Sequence, residues 1–315
     1  MKHCFIINPA AGRGGHAEQL QLRLEQLGKA RGLDFEIHIS GAPGMCGVLA
    51  RQAARDGQPC RLYACGGDGT LNEVVNGVAD LPNAWVTHLP TGSGNDFVKS
   101  FSDPAAFRDP ERLLDCEQAE LDLIRVGPRL CVDICSIGID ARVGTSISKY
   151  KNLPLVTGSG AYALSLLVNV VKGVHEHYVI DIDGQHIDGE QTMICACNGR
   201  WYGGGYNPVP EARLDDGLMD VLLVKPVSRL KVAQVVGKYK AGQYRQVPEL
   251  IRAFRVREFR VRCDRPTTVN VDGEIVTATQ MDFAIARETL RFFYPRGLSY
   301  QPPEPALAAA AAGER

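Results

Sequence analysis

No apolar run in this chain is long enough to cross a bilayer, which takes roughly 18 to 20 residues. The closest stretch, 161–174, is broken by Asn169 and Lys172. Charge of one sign is also missing: 35 basic and 36 acidic residues leave a formal net charge of -1, so no nucleic acid partner is expected. The opening MKHCFIINPAAGRG lacks the longer apolar segment and small-residue cleavage site of a secretory signal, and reads as the first strand of a cytosolic protein. Cysteine is plentiful, at ten residues, but metal-ligand spacing is not. The pairs Cys131 and Cys135, and Cys195 and Cys197, have no accompanying histidines or further close cysteines, so reduced thiols buried as small hydrophobes are expected.

What the 315 residues do contain is two successive patterns. In the first, short β-like runs alternate with helical ones. Strands are expected at Cys4 to Ile7, Asp34 to Ile39, Cys60 to Cys65 and Trp85 to His88, and helices at Ala17 to Ala30, Val48 to Arg55 and Leu71 to Val78. This βαβ rhythm predicts a largely parallel sheet. From Leu121 onward, apolar or alternating runs dominate: Leu130 to Ile137, Tyr178 to Ile182, Thr192 to Cys197, Met219 to Val224, Phe254 to Cys263 and Met281 to Ala286. Helical patterns there are confined to Tyr162 to Val171 and Val232 to Tyr239. The expected organisation is an α/β domain over 1–120, a mainly antiparallel β domain over 121–294 and a surface tail over 295–315.

Three glycine-rich turns follow strands of the first domain: NPAAGRGG at 8–15, GGDGT at 66–70 and PTGSGND at 90–96. In an open parallel sheet the carboxyl ends of the strands share one edge, and glycine lets a phosphate approach backbone amides closely. One such turn reads almost equally well as a tight connection. Three on one edge read as a phosphate cradle, with Thr70 and Ser93 adding hydroxyl donors. None carries the Walker lysine, and Gly12, Gly14 and Gly15 miss the dinucleotide-binding spacing.

GGDGTLNEVVNG together with PTGSGNDF resembles the diacylglycerol kinase catalytic domain, in the bacterial branch of lipid kinases that is also similar to sphingosine and ceramide kinases. The resemblance implies a two-domain fold of the lipid-kinase and NAD-kinase type, with ATP and Mg²⁺ as cofactors. It implies a nucleotide site lined by Asn8, Pro9, Ala10, Ala11, Gly12, Ser40, Gly66, Gly67, Asp68, Gly69, Thr70, Leu71, Asn72 and Thr91. Ser40 stands where the family usually has threonine. Asp68 is the candidate for metal-assisted phosphate handling, because a carboxylate meets a triphosphate only across a cation; a metal-free helix cap is the alternative.

The second domain carries two acidic turns. In LDDGLMD, 214–220, the resemblance implies a structural Mg²⁺ held by Asp216 and the backbone carbonyls of Arg213 and Leu218; a solvated Asp-Gly turn is the alternative. VDGE, 271–274, is by itself a tight hairpin signal. Within a lipid kinase it supplies the general base that takes the acceptor proton, a role divided between Asp272 and Glu274.

FRVREFRVRC, 254–263, puts Arg255, Arg257, Arg260 and Arg262 on a strand that can meet anionic phospholipid, with a bulge or bend between Val256 and Phe259. NGRWYGGGYNPVP, 198–210, offers Trp201, Tyr202 and Tyr206 as the lip of a lipid cleft or as core. The activity implied is transfer of the γ-phosphate of ATP to a hydroxyl of diacylglycerol or a related lipid, at an active site between the domains. The enzyme is expected in the cytoplasm, in transient peripheral contact with the inner face of an anionic membrane, and a homodimer is left open. The alternatives are an NAD kinase and a noncatalytic nucleotide-sensing or lipid-binding protein.

Overall fold

A computed structural model of the chain describes residues 1–12, 16–139, 141–142 and 175–303. The helix expected at Tyr162 to Val171, and most of the tail, lie outside the described residues. Two compact units emerge, residues 1–123 with 286–301, and residues 124–285 with the remaining C-terminal residues.

The first unit runs β1 (Lys2–Ile7), α1 (His16–Arg31), β2 (Phe35–Ile39), α2 (Met45–Ala54), β3 (Cys60–Gly66), α3 (Asp68–Val78), β4 (Ala84–Pro90), α4 (Pro110–Leu114) and β5 (Cys116–Leu121), and is completed by the last strand, β16 (Leu290–Pro295). The sheet order is β2-β1-β3-β4-β16-β5, parallel except for the β16–β5 pair. The four early strands and three helices fall where the alternating pattern placed them. Aromatic packing holds the sheet: Phe5 stacks on Tyr63 with centroids 4.0 Å apart, and Phe293 meets Tyr63 edge-on at 5.0 Å. Strand β16 returns residues 290–295 to the first sheet, so by spatial contact the first unit also takes in residues 286–301.

The second unit runs β6 (Ile124–Val126), β7 (Arg129–Cys131), β8 (Ile134–Gly138), β9 (Glu176–Ile182), β10 (Gln185–Gln191), β11 (Met193–Cys197), β12 (Met219–Val224), α5 (Arg229–Lys240), β13 (Ile251–Val256), β14 (Glu258–Val271) and β15 (Glu274–Ile285). These form one antiparallel sheet of ten strands. Strand β11 shows why its sequence has no polar alternation. Ile194 and Ala196 enter one apolar cluster with Tyr178 and Val261, while Met193, Cys195 and Cys197 enter another with Tyr239 and Tyr244, so both faces are covered. The run 130–137 is interrupted at Val132 and Asp133, and 254–263 breaks at Arg257, within the stretch Val256 to Phe259 where a bulge or bend is expected. All ten cysteines are free thiols, eight of them buried. Among the described residues no helix is long and apolar enough to cross a membrane.

Candidate functional site

Strands β1, β3 and β4 are adjacent and parallel, so the three glycine-rich turns leave the same sheet edge side by side. Hydrogen bonds join them. The Asn8 amide donates to the Cys65 carbonyl at 2.9 Å, and its side-chain Nδ2 donates to Thr70 Oγ1 at 3.0 Å. The Gly66 carbonyl accepts from the amides of Thr91 (2.8 Å) and Gly92 (3.2 Å) and from Nε2 of the buried His88 (3.0 Å). A Cβ on Gly92 would lie 2.5 Å from the Cα of Gly67, so the second and third turns approach as only glycine permits. Ser40, at the end of β2, is buried and donates its amide to the Ile7 carbonyl at 2.8 Å, beside the start of the first turn.

Helix α3 starts at Asp68, three residues before the apolar pattern begins, and Gly67 caps it with no side-chain bond. Its first amides face the edge on which the three turns converge, where an anion is favoured. The helix-cap alternative for Asp68 is not what the geometry shows: Asp68 Oδ1 accepts from the amides of Asp96 (2.7 Å) and Phe97 (3.3 Å), tying the second turn to the third. Its Oδ2 and that of Asp96 lie within 2.9 and 3.4 Å of the point a Cβ on Gly94 would occupy. Two carboxylate oxygens thus converge on space that glycine leaves open, a donor set suited to a hard divalent cation. Asp96 also pairs with Lys99.

Pro9, Ala10, Gly12 and Gly69 are exposed, and Asn8, Ala11, Gly67, Asp68 and Thr91 half-buried; Leu71 and Asn72 are buried, Leu71 as core and Asn72 holding the Asn76 amide. Two further residues support this edge, Glu73 from within the GGDGTLNEVVNG motif and His88, which carries no motif signal. Glu73 accepts from the amides of Gly44 and Cys46 at 3.0 Å and so serves the start of α2. His88 lies beneath the turns, and burial pushes its pKa below the ordinary value although Asp68 opposes the shift.

In the second unit VDGE forms a two-residue hairpin turn between β14 and β15, with Asp272 and Gly273 at φ 50° and 96°. The turn backbone is at the surface, but the Asp272 carboxyl group points inward. Oδ1 accepts from the amides of Asp133 and Ile134, each at 3.0 Å, and from the Cys131 thiol at 3.1 Å, and Oδ2 accepts from the Val132 amide at 2.5 Å. This explains the break in the run 130–137: its amides turn away from a neighbouring strand toward a carboxylate. Burial raises the Asp272 pKa, and the four donors act against that rise. Glu274 is half-exposed, with Arg129 3.8 Å away. The same break is knit to the NGRW segment, where Asn198 Nδ2 donates to the Val132 carbonyl at 2.8 Å. Arg200, also without a motif signal, is buried there, and burial lowers its pKa to about 10 against the nearby Asp133 charge.

The 214–220 turn holds an internal cation. Asp216 Oδ1 accepts from the Leu218 amide at 3.0 Å while Oδ2 pairs with Arg255, which also stands 3.9 Å from Asp220. Burial pushes Asp220 up to about 7, with Arg255 opposing. A Mg²⁺ on Asp216 with the carbonyls of Arg213 and Leu218 would have to displace the guanidinium of Arg255, which is 44% exposed, from that carboxylate. The arginine strand is likewise paired with acids: Arg260 with Asp282, Arg262 with Asp181, and Arg265 with Glu176. Tyr202 and Tyr206 of the glycine loop pack with Tyr239, the Tyr202 and Tyr239 hydroxyls 3.0 Å apart, and Tyr206 is buried, so these two rings belong to the core. Trp201 remains half-buried.

Comparison with known proteins divides the chain similarly. The diacylglycerol kinase catalytic domain matches residues 2–126, and the YegS C-terminal NAD kinase beta sandwich-like domain matches residues 133–294. A probable lipid kinase YegS-like from Pseudomonas aeruginosa is 31% identical over 275 residues, covering 86% of this chain and 89% of its own. A diacylglycerol kinase from Staphylococcus carnosus is 23% identical over 294 residues, covering 93% and 94%. The crystal structure of a diacylglycerol kinase from Bacillus anthracis has the same fold, with a TM-score of 0.67 at 18% identity over 94% of this chain and 97% of that one.

Proposed function

Since the chain belongs to the YegS-type lipid-kinase family with a diacylglycerol kinase catalytic domain, we propose that it transfers the γ-phosphate of ATP to a hydroxyl of diacylglycerol or a related lipid. The observation that carries the reading is the convergence of three hydrogen-bonded glycine turns on one sheet edge, with the Oδ2 atoms of Asp68 and Asp96 both close to the gap at Gly94. The amides at the start of α3 and the turn backbone bind the phosphates. Asp68 and Asp96 would hold Mg²⁺, which neutralises charge on the phosphates when bound.

Glu274 is the residue we assign as general base. A base must exchange a proton with the acceptor hydroxyl, and the Asp272 carboxylate is already engaged by four donors, each of which would be weakened by protonation. Asp272 is instead a positioning residue that fixes the turn on which Glu274 stands. The arginine strand contributes less to membrane contact than its sequence implies, since Arg255, Arg260 and Arg262 each face an acid.

The test is a phosphorylation assay with labelled ATP over a panel of diacylglycerol, monoacylglycerol, sphingoid and phosphatidylglycerol lipids, with NAD as a separate acceptor. Label on a lipid hydroxyl is the expected result. Label on NAD and on no lipid overturns the proposal in favour of an NAD kinase, and ATP binding without transfer to any acceptor overturns it in favour of a sensing or binding protein.

A further inference from the structure

Strands β1 and β2 pair in parallel with Cys4 opposite Glu36 and Ile6 opposite His38, so the two-residue period of a strand puts Cys4, Glu36 and His38 on one face of the sheet. Their sulfur, carboxylate oxygen and imidazole nitrogen all lie within 4.8 Å of one another. The thiol is fully buried, whereas the side chains of Glu36 and His38 are 42% and 40% exposed. A buried soft donor thus lies beside two movable, partly exposed donors. We propose that Cys4, Glu36 and His38 bind a thiophilic divalent cation of the zinc class, with solvent completing a tetrahedral shell.

The donor set selects the ion. Thiolate and imidazole with one carboxylate suit zinc, while magnesium and calcium prefer oxygen donors alone. Zinc bond lengths place tetrahedral ligand atoms about 3.3–3.6 Å apart; Glu36 and His38 already stand 3.8 Å apart, and no pair in the trio exceeds 4.8 Å. Rotation of the exposed Glu36 and His38 side chains closes the remaining distance while Cys4 stays in place.

Glu36 now faces Lys2 at 3.6 Å and His38 at 3.8 Å. Lys2 keeps closer partners in Asp56 and the Ala53 carbonyl, both at 2.9 Å, so it is not stranded when Glu36 turns to a metal. On binding, the metal–sulfur bond forms as the thiol proton leaves to solvent, and the imidazole binds in its neutral form. The ion would tie the edge strand β2 to β1, the strands that lead into Ser40 and Asn8. The site is independent of the kinase assignment.

The probe is Co²⁺, titrated into metal-free full-length protein, followed by Zn²⁺ competition. A thiolate-to-cobalt charge-transfer band saturating at one equivalent and displaced by Zn²⁺ is expected. The band should vanish in Cys4→Ala and persist in Cys116→Ser and Cys263→Ser, the two cysteines that are only partly buried. His38→Ala, a change at a half-exposed edge position that does not threaten folding, should weaken Zn²⁺ binding by about tenfold or more and abolish the rise in unfolding temperature that Zn²⁺ gives the parent. Absence of a cobalt band in the parent, a band that survives Cys4→Ala, or parental Zn²⁺ affinity in His38→Ala each overturns the site.

Discussion

Asp68 in the first unit and Asp272 in the second occupy the same local sequence, an aspartate followed by glycine, and both accept amides from a distant loop. Asp68 takes the amides of Asp96 and Phe97 on one oxygen and leaves the other toward the gap at Gly94. Asp272 has donors on both oxygens, from Val132, Asp133, Ile134 and Cys131. The difference teaches that an Asp-Gly motif becomes chemically available only where the loop it ties down leaves an oxygen over. Under the proposed function, that difference favours Asp68 for phosphate handling and Asp272 for positioning the turn.

The sharpest way to break this comparison is Asp68→Asn. The amide oxygen still accepts from Asp96 and Phe97, so the tie between the turns is kept while the charge that would hold a cation is lost. Phosphoryl transfer should fall by about 10²–10³-fold with the unfolding temperature nearly unchanged. Turnover at the parent rate in a folded Asp68→Asn protein removes Asp68 from the phosphate site.

Next in size is Glu274→Gln, which tests the choice made within VDGE. Transfer should slow by about 10²-fold in kcat with little change in the KM for ATP, because the nucleotide is assigned to the turns of the first unit. If Glu274→Gln retains parental kcat where chemistry limits the rate, the base is not Glu274.

Asp272→Ala should act on stability instead. It strands three amides that no water reaches easily, at a cost of about 2–4 kcal/mol. The chain has two tryptophans, Trp85 in the first unit and Trp201 in the second, so single-tryptophan versions report each unit alone. Asp272→Ala should lower the midpoint seen by Trp201 and leave that seen by Trp85; equal midpoints in parent and variant would show that the carboxylate is not holding the 131–134 break.

The same contrast between local and distant contacts explains what was legible in the sequence. The early strands and helices were readable because each follows from the period of its own residues, and the phosphate edge followed from three turns placed after three strands. What escaped depends on partners far along the chain. Strand β16 joins the first sheet from residues 290–295, beside a strand some two hundred positions earlier. The interruption of 130–137 is caused by Asp272, about 140 residues away. Arg255 was readable as a strand cation, but its role at Asp216 and Asp220 needed the turn to fold onto it. Cys4 was readable as a buried thiol; that Glu36 and His38 stand over it follows only from the β1–β2 register.

The smallest expected effect concerns pH and the first unit alone. His3 is buried against Tyr63, its Nδ1 2.8 Å from the Tyr63 hydroxyl, and burial, with Arg61 and the N-terminus adding to it, lowers its pKa to about 4. His88, enclosed beneath the glycine turns, shifts in the same direction. An unfolded histidine takes up a proton near pH 6.5 that these two refuse while folded. The unfolded state therefore binds more protons below that point, and the stability of the first unit, complete above pH 6.5, declines as pH falls from 6.5 toward 4. Denaturation midpoints read by Trp85 should fall across pH 6.5 to 5, before carboxylates contribute. His3→Phe keeps a ring on Tyr63 without a titrating group and should flatten that slope, although it forfeits one hydrogen bond and so starts from a lower midpoint. An unchanged slope in His3→Phe and in His88→Gln would mean that the acid sensitivity of this unit arises elsewhere.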